Sequence, residues 1–200
     1  MTTNTMNFPN VLYRGFTEIN HANDFIDGRF RLGLLDSYQN IENAARADPS
    51  EGDGHYVSSD GISEYFKSGN PTYLLCCSDG NVELAFLRQK MGPFIVRINQ
   101  PEQLTSLIND FLKKKGINAF KGVQGAPVQY NKGQIVHEEL DPEKKQLLSI
   151  IQKPSGFADE HEYRLYAMTN IEGARDQLEQ FLSVDLEQKL PFVELLPCEE

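Results

Sequence analysis

The sequence has few of the residues that stabilise or anchor a chain without a large apolar core. It contains three cysteines, and their positions at 76, 77 and 198 give neither a disulfide framework nor a CxxC metal-binding motif. No stretch approaches the roughly 18 consecutive apolar residues of a membrane span, and the N-terminus has no basic segment followed by an apolar run. We therefore expect a cytoplasmic protein with reduced cysteines and no membrane partner.

Positive charge is also scarce. The 19 lysines and arginines stand against 29 aspartates and glutamates, which gives a formal net charge of −10. Such a surface on average repels nucleic acids and anionic membranes, so a nucleic-acid partner would require a local basic patch. The lysine run at residues 113–115 is more typical of a helix C-terminus, where cations complement the helix dipole.

Several motifs of common catalytic sites are missing. Neither GxGxxG nor GxxxxGK[ST] occurs, so no glycine-rich phosphate-binding loop is expected. The GxSxG and HExxH signatures of serine hydrolases and zinc proteases are absent too. We therefore expect no metal, and arginines would have to hold a phosphate group of any ligand.

What the sequence does contain is a regular pattern of apolar residues, which predicts one α+β domain over residues 1–200. The predicted strands lie at residues 11–16, 29–38, 72–78, 93–98, 128–131, 160–168 and 192–196, and the predicted helices lie at residues 20–26, 81–90, 101–115, 142–153 and 173–182. Residues 48–71 are rich in Gly, Pro, Ser and Asp, and we expect a mobile loop there with one short strand at residues 55–57.

The last of these predicted strands carries charges at alternate positions. Glu160, Glu162 and Arg164 share one face, which is either a charged ladder on a solvated sheet or the floor of an active site. Two carboxylates that point into the same space can stabilise the oxocarbenium charge of a sugar that loses its leaving group. The pattern therefore suits a nucleotide-sugar substrate such as NAD, and both interpretations stay open.

Arginines on the first two predicted strands complement this carboxylate pair. Arg14 lies between apolar residues of the first strand, and Arg29 and Arg31 lie opposite the apolar face of the second. Guanidinium groups bind pyrophosphate through bidentate contacts. We therefore count Arg14 and Arg31 as candidate NAD-binding residues, in a small basic cleft that could also admit a single nucleic-acid strand.

Three short motifs together resemble the ADP-ribosyltransferase-like superfamily: YRG at residues 13–15, LLDSYQN at residues 34–40 and EHEYR at residues 160–164. Members of this superfamily split an antiparallel-rich sheet around an NAD cleft. They take an Arg or His, then a Ser, Thr or Tyr, and then a Glu from three separate strands. The resemblance implies a mixed, antiparallel split β-sheet with flanking helices.

The same resemblance implies a role for each motif residue. Arg14 takes the NAD-binding position of the first strand, and Ser37 or Tyr38 lies near the nicotinamide ribose. Glu162 is the catalytic carboxylate, and Glu160 helps to position the incoming nucleophile, as the first Glu does in arginine-modifying members.

The function implied is that of an NAD-dependent ADP-ribosyltransferase acting on a macromolecular acceptor, which is a protein or a nucleic acid. The order of motifs is also similar to a group of prokaryotic proteins linked to defence and toxin–antitoxin loci, so a toxin role with an antitoxin partner is part of the expectation. Two alternatives stay open: a non-catalytic binding or regulatory module on the same fold, and an NAD glycohydrolase in which water attacks the sugar.

Overall fold

The computed structural model describes residues 8–40, 51–67, 70–116, 120–134, 140–169 and 179–198. The strands are β1 (Leu12–Phe16), β2 (Arg29–Leu34), β3 (Asp53–Val57), β4 (Ser63–Lys67), β5 (Thr72–Asp79), β6 (Phe94–Ile98), β7 (Phe120–Pro127), β8 (Glu162–Thr169), β9 (Phe181–Asp185) and β10 (Val193–Leu195). The α-helices are α1 (Ile19–Ile26), α2 (Leu84–Met91), α3 (Pro101–Lys114) and α4 (Pro142–Ile151), and short 3-10 helices cover Leu35–Asn40 and Ser155–Glu160.

The main sheet has eight of these strands and divides at its centre. Strand β5 pairs with β8 along one edge, from Thr72 to Ser78. Its other edge pairs with β1 only near Ser78 and with β2 only near Leu74. Strand β1 continues outward to β6 and β10, and β2 continues to β9. The two wings therefore diverge on either side of residues 75–77 of β5, which pair with β8 on one edge and with no described strand on the other.

The two faces of the sheet are covered by different helices. Alternation along β8 directs Tyr163 and Leu165 into the larger apolar core, which α1 and α3 cover. The opposite face carries Leu74 and Tyr166, which pack against Ile150 of α4. The expected mixed α+β domain with antiparallel strands is confirmed.

Residues 51–67 form more structure than the sequence predicted. In place of a loop with one short strand, β3 and β4 pair as an antiparallel hairpin that packs on α4. Glycine is common in loops, but the ring of Phe66 lies so close to Gly54 that a Cβ there would come within 2.0 Å of the ring. A glycine in a strand often marks such close packing.

The sequence of residues 118–139 predicts short strands separated by glycines, with 128–131 the strongest. That strongest strand is wrong, because the pairing with β8 extends over Phe120–Pro127. A Cβ at Gly125 would lie 2.7 Å from the Tyr163 hydroxyl. The predicted helix at 173–182 is wrong at its end, where β9 begins at Phe181, and its positions up to 178 lie outside the described residues. No helix in the described ranges is long and apolar enough to cross a membrane.

Candidate functional site

The two glutamates of EHEYR do meet, although not by strand alternation. Strand β8 begins at Glu162, and Glu160 ends the preceding 3-10 helix. Between them His161 adopts a left-handed conformation with φ of 43°, which turns the chain. Both carboxylates contact the Lys153 ammonium group, at 2.8 Å from Glu160 and 2.7 Å from Glu162. The interpretation as a solvated ladder is wrong, because Glu160 is 3% and Glu162 is 6% exposed.

Arg164 anchors the second carboxylate from the same strand. Its Nε donates to Glu162 Oε1 at 2.8 Å and its second terminal nitrogen donates to Oε2 at 3.2 Å, which is a bidentate pair. The remaining terminal nitrogen donates to Glu51 Oε1 at 2.6 Å and to the carbonyl oxygen of Ile150. Arg164 is 1% exposed, so its charge depends on these partners.

Six charged side chains make up this buried network, which we call the charge cluster: Glu51, Lys90, Lys153, Glu160, Glu162 and Arg164. Three are acidic and three are basic, so their formal charges cancel. Burying unpaired ions is costly, and such balance is what allows these groups to remain charged away from water.

The pKa values within the charge cluster diverge. Burial alone would raise the pKa of Glu162, but the positive charges of Arg164 and Lys153 outweigh burial and hold that pKa well below its ordinary value. For Glu51, burial outweighs the attraction of Arg164, and the pKa is raised. The neighbouring carboxylates raise the pKa of Lys153 despite its burial. Glu162 is therefore ionised at neutral pH, whereas Glu51 takes up a proton more readily.

A cavity of about 160 Å³ opens onto the charge cluster. Five members of the cluster line it, together with the side chain of Tyr38 and the Cys76 and Ser78 positions of β5. Leu87 and Met91 of α2 contribute an apolar part of the wall. Burial raises the pKa of Cys76 well above its ordinary value, with a further contribution from the Glu162 charge, so this thiol is held protonated.

Arg14 stands where the sheet divides. Its terminal nitrogen donates to the carbonyl oxygen of Cys76, in the stretch of β5 whose edge towards β1 and β2 pairs with no described strand. Its Nε is buried, and no hydrogen-bond partner is found for it among the described residues. Arg14 also lines both the cavity and a second, larger depression. A polar donor without a partner in a cavity wall is suited to a ligand that accepts a hydrogen bond.

The larger depression, which we call the groove, has a volume of about 830 Å³ and is lined from β1, α1, β2, α3 and β9. Its charged lining consists of the cations Arg14, Arg29, Arg31 and Lys115 and the anions Asp24 and Asp185, a net of +2. Because the whole chain carries −10, the groove is a local positive region on an acidic protein. The rings of Phe16, Phe30 and Phe111 complete its walls.

The structure therefore brings together most of the residues singled out from the sequence. Glu160, Glu162, Arg14 and Tyr38 line the same cavity, and burial raises the pKa of Tyr38 far above its ordinary value. Arg31 lies in the groove with its guanidinium 5.7 Å from the ring centroid of Phe181.

Ser37 is placed differently. Its hydroxyl donates to the carbonyl oxygen of Leu34 at 2.6 Å, and Ser37 is not among the lining residues of the cavity or the groove. Of the two residues that the motif left open, Tyr38 is the one that borders the cavity. Its ring packs on Gly33, where a Cβ would lie 2.7 Å from the tyrosine hydroxyl.

Three members of the charge cluster were missed from the sequence. Glu51 belongs to the segment 48–71, for which the sequence predicted a loop, and it lies 113 positions from Arg164. Lys153 follows the apolar stripe of α4 directly before a proline, and Lys90 lies in the last turn of α2. A charged residue at the end of the apolar stripe of a helix is only weak sequence evidence for a buried ion pair. The fold is needed to show which groups its side chain contacts.

Comparison with known proteins adds no assignment: no protein-family model, no curated protein and no solved structure matches this chain. Within the described ranges, no group of three or more His, Cys, Asp or Glu side chains is arranged to hold a metal ion.

Proposed function

We propose that this chain is an ADP-ribosyltransferase-like enzyme that binds NAD at the division of the sheet and transfers its ADP-ribose with release of nicotinamide. The observation that carries the proposal is the shared cavity: an ionised Glu162 and a partly unsatisfied Arg14 face the same space, where β1 and β2 leave β5. A sheet that divides around its ligand is also what the resemblance of the three sequence motifs implies.

The contacts of Glu162 leave one acceptor position for a sugar hydroxyl. A carboxylate offers about four acceptor positions, and Arg164 and Lys153 fill three of those on Glu162. A ribose hydroxyl would use the remaining position and displace at most the weak thiol donor of Cys76. As the bond between C1′ and the nicotinamide nitrogen breaks, the electron pair leaves with nicotinamide, and the fixed negative charge of Glu162 stabilises the positive charge that develops on the sugar.

The sizes of the two spaces support a ligand that extends through both. The cavity, at about 160 Å³, is smaller than the ~300–1,000 Å³ of usual ligand sites and fits one end of a dinucleotide better than the whole. The groove, at about 830 Å³, shares Arg14 with it and offers Arg31 and Lys115 as further cations. We place the nicotinamide end by Glu162, the pyrophosphate by Arg14 and the remainder in the groove.

The biological role that we propose rests on the sequence resemblance. It is that of a toxin in a toxin–antitoxin or anti-phage system, with an antitoxin as a protein partner.

The decisive experiment follows both nicotinamide release and label transfer from radiolabelled NAD, with wild type and Glu162→Gln. Loss of the carboxylate charge removes transition-state stabilisation, and we expect nicotinamide release to fall by about 10²-fold or more. Glu143→Gln is the matched control, because Glu143 is exposed in the first turn of α4. Activity of Glu162→Gln within about tenfold of wild type would remove Glu162 from the reaction.

One observation favours a second candidate, a non-catalytic binding module. The charge cluster pairs its own acids and bases, as a purely structural network would. In that case calorimetry would show a ligand bound in the cavity or groove, while wild type released no nicotinamide from NAD.

A further inference from the structure

Glu160 has two lysines as partners, whereas Glu162 is paired with Lys153 and Arg164. Its Oε1 lies 2.5 Å from the Lys90 ammonium and its Oε2 lies 2.8 Å from the Lys153 ammonium. Each oxygen of Glu160 thus already has one cation of the chain itself as a partner. The residue that the motif assigns to the incoming nucleophile is flanked on both sides by positive charge.

These two lysines are held in place by their surroundings. The side chain of Lys90 is 16% exposed and that of Lys153 is 7% exposed. The ring of Phe157 lies over both ammonium groups, with its centroid 5.1 Å from Lys90 and 5.0 Å from Lys153. Such cation–π contacts hold each ammonium group beside the ring. A group that approaches Glu160 therefore approaches two fixed ammonium ions.

The two lysines beside Glu160 favour an uncharged nucleophile over a positively charged one. A guanidinium or ammonium acceptor carries its own positive charge, and at Glu160 it would be repelled by Lys90 and Lys153 without gaining an unneutralised carboxylate. Arginine cannot lose its charge to avoid this repulsion. An O–H group carries no charge and needs only one free acceptor position on a Glu160 oxygen for orientation.

Resting on the proposed function, we infer that the acceptor of the ADP-ribosyl group is an uncharged O–H nucleophile, either water or an alcohol hydroxyl, and not a guanidinium or an amine. The C1′–nitrogen bond breaks and its electron pair stays on nicotinamide. A bond forms between C1′ and the acceptor oxygen, and the proton of the O–H group leaves to solvent. The products are nicotinamide, one proton, and either free ADP-ribose or an O-linked ADP-riboside.

The test uses the full chain, labelled NAD and two small probes, methanol as the alcohol and agmatine as the guanidinium. We expect ADP-ribose in plain buffer, a methyl ADP-riboside when methanol is present, and far less agmatine adduct than methyl product. The two oxygen products distinguish water from a hydroxyl as the better acceptor. An agmatine adduct formed by wild type as fast as the methyl product would overturn the inference and leave the proposed function intact.

Variants at Lys90 give an independent measurement. Lys90→Gln removes one of the two charges beside Glu160, and we expect the ratio of agmatine adduct to methyl product to rise at least about tenfold. Lys90→Arg keeps the charge and should keep the wild-type ratio, and so should Lys121→Gln, an exposed lysine of β7. An unchanged ratio in Lys90→Gln would contradict the inference. If wild type released nicotinamide with none of the acceptors, the proposed function would fail and this inference with it.

Discussion

Replacing Lys153 by methionine removes the cation that Glu160 and Glu162 share. The ammonium group lies 2.8 Å and 2.7 Å from the two carboxylates and 4.0 Å from Glu51, and the side chain is 7% exposed. Breaking a buried ion pair from one side costs about 3–5 kcal/mol, because a charge is left without compensation. For a chain of this size we expect the melting temperature to fall by about 2–4 °C per kcal/mol.

The free energy of unfolding lost in Lys153→Met should depend on pH in a defined direction. Because the folded-state pKa of Glu162 is lowered, its ionised form contributes stability above its unfolded pKa of about 4.3, and that contribution is lost as the pH falls through the folded pKa. Without Lys153 the folded pKa rises and the contribution shrinks. The difference between wild type and Lys153→Met is therefore largest near neutral pH and decreases below about pH 4.

Urea unfolding at several pH values measures both effects. Lys114→Met is the matched control, because Lys114 pairs with Glu187 at 3.1 Å with both side chains more than half exposed. Its loss should cost less than about 1 kcal/mol. A cost for Lys153→Met below that of the control, or a cost that does not decrease as the pH falls from about 4 to about 2, would refute the ion pairing of Lys153 with Glu162.

Two further predictions concern Glu51 and the thiols. Burial raises the folded pKa of Glu51 above its unfolded value, so its ionisation opposes folding as the pH rises above about 4.5. Glu51→Gln should flatten the pH dependence of urea unfolding in that range, and a steeper slope would contradict this. Burial raises the pKa of Cys77 to about 11 and raises that of Cys76 well above its ordinary value, whereas Cys198 is exposed. A thiol reagent at pH 7 should therefore modify one cysteine of the native chain, and none in the Cys198→Ser variant. Fast modification of two cysteines would contradict the burial of Cys76 and Cys77.

Local sequence signals were sufficient where one element determines its own structure. Helix α3 begins at Pro101, as the helix-start signals predicted, and its buried stripe of Leu104 and Ile108 faces the sheet. The apolar run at residues 72–78 is β5, the centre of the sheet. Both outcomes follow from periodicity and end signals, which need no knowledge of distant residues.

The charge cluster required the fold. Sequence spacing predicted that Glu160 and Glu162 would share one space, and they do, but the reason is the turn at His161 and not a continuous strand. No local pattern relates Glu51 or Lys90 to β8, because each arrives from a different part of the chain. Pairing over such separations is decided by how the helices and the hairpin pack on the sheet.

The contact between Arg14 and the Cys76 carbonyl has a consequence for the integrity of the sheet. The stretch 75–77 of β5 is an edge inside the sheet, and an open edge is a template on which any extended peptide can add as a strand. The Arg14 guanidinium donates to the Cys76 carbonyl oxygen, so this oxygen cannot accept a hydrogen bond from an added strand. Bulges and inward-pointing charges prevent strand addition at the outer edges of sheets in a similar way. The Arg14 side chain thus disfavours the addition of a further strand between the two wings and leaves the space there for a small molecule.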